Sequence, residues 1–96
     1  MIRTPVCDLL QIKYPIALGG LGGGFTQPAM VAAVSDVGGF GALGCAGMSA
    51  SQVTAASAEI RKITDKPFAL NFLLFIIDED AFAAALAVKP VGIALA

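Results

Sequence analysis

The chain has 96 residues, enough for one domain at most, and 57% of it is hydrophobic against 14% charged, with a mean hydropathy of +0.84. Soluble domains carry roughly 25% charged residues, and small ones leave much surface wet, so the chain reads either as a membrane segment or as part of a larger fold. A net charge of −1 with no basic run argues against nucleic acid and anionic lipid as partners.

The membrane reading fails on length. The apolar run at 68–77 is ten residues and contains Asn71, whereas a spanning helix needs about 20 apolar residues. The start, Met1-Ile-Arg-Thr-Pro-Val-Cys-Asp, has no apolar core behind a basic segment and reads as no secretory signal. Cys7 and Cys45 form no Cys-x-x-Cys, and the chain has no histidine, so a metal site lacks ligands. A cytoplasmic protein with reduced thiols is expected.

In chain order, Thr4-Pro5 opens a short helical turn to Leu10, with proline at the first helical position. Residues 16–18 are the first strand. Five glycines follow between Gly19 and Gly24, and Pro28 opens a helix over 29–37 that Gly38-Gly39 stops. A glycine loop at the carboxyl end of a strand lets backbone approach a flat or phosphorylated ligand; a flexible connector is the plainer reading.

Residues 40–43 are the second strand. Ser49 with Gln52 three residues on is a capping box. Val53, Ala56, Ile60 and Ile63 then recur at helical spacing. After the turn at 64–67 comes a third strand, 68–75. Asp78-Glu79-Asp80 puts negative charge where a helix begins, with Phe82 and Leu86 on one face, and residues 91–95 are a fourth strand. Strands alternating with helices and no hairpin signal predict a parallel α/β sheet with right-handed crossovers.

The third strand sorts Phe68, Leu70 and Phe72 against Ala69, Asn71 and Leu73; the fourth sorts Val91, Ile93 and Leu95 against Gly92, Ala94 and Ala96. The bulky faces suit packing under helices, and the small faces leave room for something else. Asn71 is the polar exception. An unpartnered buried amide costs roughly 1–3 kcal/mol, so Asn71 needs either a backbone partner in a neighbouring loop or a ligand.

Gly39-Phe-Gly-Ala-Leu-Gly44 spells a dinucleotide fingerprint but follows a helix instead of opening one. Gly20-Leu-Gly22 has the right context, with Phe25 in place of the third glycine. Cys45 has no histidine to activate it and reads as a small apolar filler. The acidic triplet at 78–80 reads as a solvated helix start.

Taken together, Tyr14-Pro-Ile16, the glycine loop with Pro28, Ala32-Ala-Val-Ser-Asp-Val-Gly-Gly-Phe-Gly41 and Thr64-Asp-Lys-Pro-Phe-Ala-Leu-Asn71 occur in the order and spacing of the nitronate monooxygenases, which the chain resembles from about residue 3 to its end. The resemblance extends to the related FMN-dependent enoyl-ACP reductases. It implies the N-terminal half of a (β/α)8 TIM barrel, a single incomplete domain over 1–96 with about four strands and three crossover helices. It implies FMN as cofactor, with the main chain of Gly20, Leu21 and Gly22 against the flavin ring and Asn71 hydrogen-bonded to it. The implied reaction is oxidation of alkyl nitronates with O2. The family usually has methionine at Leu21 and often glutamine at Leu18. No catalytic residue is assigned here, because the family's histidine and phosphate-binding loops fall beyond Ala96. With two open sheet edges, self-association or pairing with a missing C-terminal half is expected. The alternatives are an enoyl-ACP reductase-like enzyme and a truncated, non-catalytic fragment; the sequence past Ala96 would separate enzyme from fragment.

Overall fold

The computed structural model describes residues 4–19, 27–73, 76–88, 90 and 92–95. Pro5 starts α1 (Pro5–Leu10), with Thr4 as its extended N-cap. The expected first strand is reduced to a parallel bridge, Ala17 to Phe40, held by Phe40 N donating to Ile16 O (2.8 Å) and Leu18 N donating to Phe40 O (2.9 Å).

Pro28 opens α2 (Pro28–Asp36) behind an extended Gln27. The chain leaves α2 through Gly38 at φ +105, where a Cβ would lie 2.8 Å from Lys13 Cβ. Both Lys13 N and Tyr14 N donate to Gly38 O at 2.9 Å, so only glycine lets the segment before the bridge close on this turn. Strand β1 (Gly41–Gly44) follows, then α3 (Ala50–Ile63) and β2 (Phe68–Phe72). Helix α4 (Glu79–Val88) leads to β3 (Gly92–Leu95).

The sheet is parallel with order β1-β2-β3. Space follows chain order, so each crossover advances the same way. A doubly wound sheet would reverse direction at a switch point. Right-handed crossovers taken in one direction place every helix on one face, and the core agrees. Leu43, Phe68, Leu70 and Phe72 form a single buried cluster with Val31 of α2, Val53 and Ile60 of α3, and Ala81 and Ala85 of α4. Burying each such large side chain stabilises by about 1.5–3 kcal/mol. The fold class is the one the sequence predicts: α/β, parallel strands alternating with helices as in the first part of a (β/α)8 barrel.

Local contacts tie the helices to the sheet. The Ser49–Gln52 capping box is present. Arg61 lies over the Phe68 ring at 4.4 Å and donates to Lys66 O at 2.8 Å. Phe72 meets Phe82 edge-on with centroids 5.9 Å apart. Thr64 Oγ1 donates to Asp36 Oδ1 at 3.0 Å, joining the ends of α3 and α2.

Some expectations shift. Strand β1 begins at Gly41, because Phe40 serves the bridge to Ala17. Strand β2 ends at Phe72, short of the expected residue 75; positions 74 and 75 lie outside the described residues. The buried arc of α3 is Val53, Ser57 and Ile60, while Ile63 is 55% exposed. At 3.6 residues per turn Ile63 falls on the shoulder of that arc, which the loose spacing of apolar letters could not distinguish. Ser57 Oγ, by contrast, is buried without a hydrogen-bond partner among the described residues. On α4, Ala81 and Ala85 face the core, Phe82 packs beside them and Leu86 is exposed.

Cys45 follows β1 at 1% exposure, and its thiol donates to Leu43 O at 3.6 Å. Burial pushes the thiol from 9.0 up to about 11, partly offset by the backbone of Asn71. It is the apolar filler expected, not a nucleophile.

Two outcomes follow from this packing. A Cβ at Gly41 would collide with Val31 O and stand 2.6 Å from Ser35 Oγ, which accepts the Gly41 N–H at 3.0 Å; Gly41→Ala should therefore lower stability by about 1–3 kcal/mol in urea titrations. For Cys45, the folded state holds the proton more tightly than the unfolded state. Its contribution is complete below pH 9.0 and is lost as pH rises through about 11. Denaturation midpoints of the parent should therefore fall more steeply across that window than those of Cys45→Ala.

Candidate functional site

The helix-free face of the sheet is built by register. Ala42, Ala69 and Gly92 stand in one row, and Gly44, Asn71 and Ala94 in the next, nearer the carboxyl ends of the strands. Alternation puts these residues opposite Leu43 and Leu70, which enter the helix-side core. Asn71 therefore faces away from the helices, and the small face expected from the letters is continuous across three strands.

Phe40 forms the floor of this face. Its Cζ is 4.0 Å from the position a Cβ would take on Gly92, although Phe40 precedes β1 and Gly92 lies on β3. The ring must reach across β2, and Ala69 between them is 4% exposed. Reading the alternation backwards from Ala42 would have placed Phe40 on this face; only the third and fourth strands were sorted into faces from the letters.

Asn71 is half-buried, and its side-chain amide has no hydrogen-bond partner among the described residues. Its carbonyl accepts from Cys45 N at 2.8 Å. The backbone around 71 is thus committed to holding β1 beside β2, while the amide stands on the helix-free face near the carboxyl end.

Gly20, Leu21 and Gly22 lie outside the described residues. Gly19, the last described residue before them, leaves the segment paired with Phe40 and has open space around its Cβ position. Parallel strand direction puts that exit at the same end of the sheet as Gly44 and Asn71. Leu18 packs against the helix-side core, so an apolar residue there is satisfied by packing.

Beside the open face, at the carboxyl ends of β1 and β2, a cleft of about 250 Å³ is lined by Cys45, Met48, Ser49, Gln52, Phe72, Leu73, Ile76, Ile77 and Asp78 among others. None of its described lining residues is basic. A second cleft of about 260 Å³, with Lys13, Asp36 and Lys66, lies at the opposite end. Among the described residues no cluster could hold a metal ion, and no helix is long and apolar enough to cross a membrane. Gly39 precedes β1 and the letters run through that strand to Gly44 instead of opening a helix, so the Gly39–Gly44 letters form no dinucleotide turn.

This arrangement has known counterparts. A probable nitronate monooxygenase of Staphylococcus saprophyticus is 36% identical over 73 residues, covering 76% of this chain and 20% of the relative. The structure of FabK from Thermotoga maritima superposes with a TM-score of 0.90 at 34% identity, over 99% of this chain and 30% of that one. That of nitroalkane oxidase from Streptomyces ansochromogenes gives 0.66 at 28% identity, over 73% of this chain and 20% of the other. The chain thus spans about a fifth of the curated relative it matches. The sequence model of nitronate monooxygenase matches residues 3–91, and with the fold and relatives above this means that the chain belongs to the nitronate monooxygenase family.

Proposed function

We propose that this chain is the N-terminal half of the barrel of an FMN-dependent oxidoreductase that oxidises alkyl nitronates with O2, and that residues 1–96 are one incomplete barrel domain. The observation that carries the reading is the amide of Asn71, unpaired among the described residues, on the small, helix-free face at the carboxyl end of the sheet. Family membership supports the chemistry.

The residues present fit a planar cofactor. The rows of alanine and glycine bring no bulky side chain to this face, and the Phe40 ring reaches across it to Gly92. Asn71 would offer a donor and an acceptor to ring heteroatoms, and the bare main chain of Gly20, Leu21 and Gly22 would lie against the ring plane. When bound, FMN supplies the redox chemistry that couples nitronate oxidation to O2. None of the described residues lining the neighbouring cleft is basic, and the FMN phosphate would be held by residues outside this chain.

The edge of β3 opposite β2 has no neighbouring strand among the described residues, and Leu95 on it is 51% exposed. Where no further strand covers that edge it recruits another chain, either a second copy or a C-terminal half. Light scattering after size-exclusion chromatography of the 96-residue polypeptide should show more than the 9.7 kDa of one chain; a folded monomer would count against this.

In the protein carrying the complete barrel, Asn71→Ala should weaken FMN binding roughly 5- to 150-fold, the equivalent of about 1–3 kcal/mol for a lost ligand hydrogen bond. Quenching of FMN fluorescence reads this directly, and an unchanged dissociation constant removes Asn71 from the site. Oxygen uptake driven by an alkyl nitronate without nicotinamide supports the monooxygenase. Nicotinamide consumption with an enoyl thioester, and no nitronate-driven uptake, supports the reductase-like alternative.

A further inference from the structure

Among the described strand residues of the helix-free face, Phe40 brings the only ring. Its neighbours there are Ala42, Gly44, Ala69, Asn71 and Gly92. The position of the ring is set from both ends. Its backbone is locked into the bridge, with Phe40 N donating to Ile16 O at 2.8 Å and Phe40 O accepting from Leu18 N at 2.9 Å. At the far end, Cζ stands 4.0 Å from the Cβ position of Gly92, an ordinary van der Waals distance.

Ala69 pairs with Ala42 on one side and with Gly92 on the other. A ring that starts before β1 and ends at β3 therefore passes over Ala69, which is 4% exposed. Asn71 follows Ala69 by two residues on the same strand and the same face, a rise of about 7 Å. The ring thus closes the row directly on the amino-terminal side of Asn71. It is itself only half-buried, so part of its apolar surface stays on the open side of the sheet. The ring carries no polar atom, so what it can do to a neighbouring molecule is exclude it or stack with it.

We propose that Phe40 positions the planar cofactor. Its ring takes up the space over Ala69, and a flat heterocycle entering from the carboxyl ends of the strands comes to rest against it, at the level of the Asn71 amide. The inference rests on the flavin reading of the site and adds to it a residue that sets the depth of binding. Ring and amide then act as one unit: the amide reaches the heteroatoms only while the ring holds the cofactor at that level. A ring that merely fills the core would stabilise the fold and leave the Asn71 contact untouched.

A double-mutant cycle on FMN affinity separates the two roles, read by fluorescence quenching with the apoprotein of the complete barrel. Phe40→Leu stays apolar but is too short to reach Gly92. With Phe40 present, Asn71→Ala costs roughly 5- to 150-fold in the dissociation constant. In the Phe40→Leu background the same change should cost less than about two-fold, because groups that act together are not additive. Should Phe40→Leu fail to fold, Gly92→Val takes its place: its methyls would meet Cζ and displace the ring, with the same loss of coupling. An Asn71 effect of equal size with and without the ring overturns the role of Phe40 and leaves the flavin reading standing. Loss of FMN binding that is already absent from the parent, or an Asn71→Ala change without effect in the parent, overturns the flavin reading and this inference with it.

Discussion

The register of three parallel strands is the constraint on which the rest depends. Pairing Leu43 with Leu70 and Ile93 lines up bulky residues on one face; pairing Ala42 with Ala69 and Gly92 lines up small ones on the other. A slip of one residue would turn every side chain to the opposite face. It would put Phe68 and Phe72 in the open and Asn71 under the helices. The large apolar area under α2, α3 and α4 resists that slip, and so holds the amide of Asn71 in place.

The same constraint explains the close approach of α2. Gly41 faces the helices, and the absence of a side chain there lets Ser35 and the Val31 carbonyl come down onto β1, where the Ser35 hydroxyl accepts the Gly41 N–H. Cys45 performs a related service at the carboxyl end. Its buried thiol fills space behind the sheet, and its N–H fixes β1 to the Asn71 carbonyl. Residues that support the site therefore occupy the core, while the open face stays nearly bare of large side chains apart from Phe40.

Much of this was legible in the letters. The capping box at Ser49 and Gln52, the proline starts of α1 and α2, and the glycine stop at 38 depend on local chemistry within a few residues, so they survive in any tertiary setting. Phe68 to Phe72 could be sorted into faces because a strand's period is two. Helix faces were harder. Ile63 and Leu86 look like core residues by spacing, yet the buried arcs are narrower and turned toward Ser57 and Ala85, because each helix meets its neighbours as well as the sheet.

The sequence by itself determined the alternation of helix and strand, the stops between them, the oddity of Asn71 and the family motifs that run from Tyr14 to Asn71, since all of these are carried by residue type and short spacing. Only the tertiary structure decided that Asn71 shares a row with Gly44 and Ala94, and that Phe40 spans to β3. Those relations join residues from 23 positions apart (Asn71 and Ala94) to 52 (Phe40 and Gly92), and they exist only once burial of the bulky face has chosen one register from the alternatives.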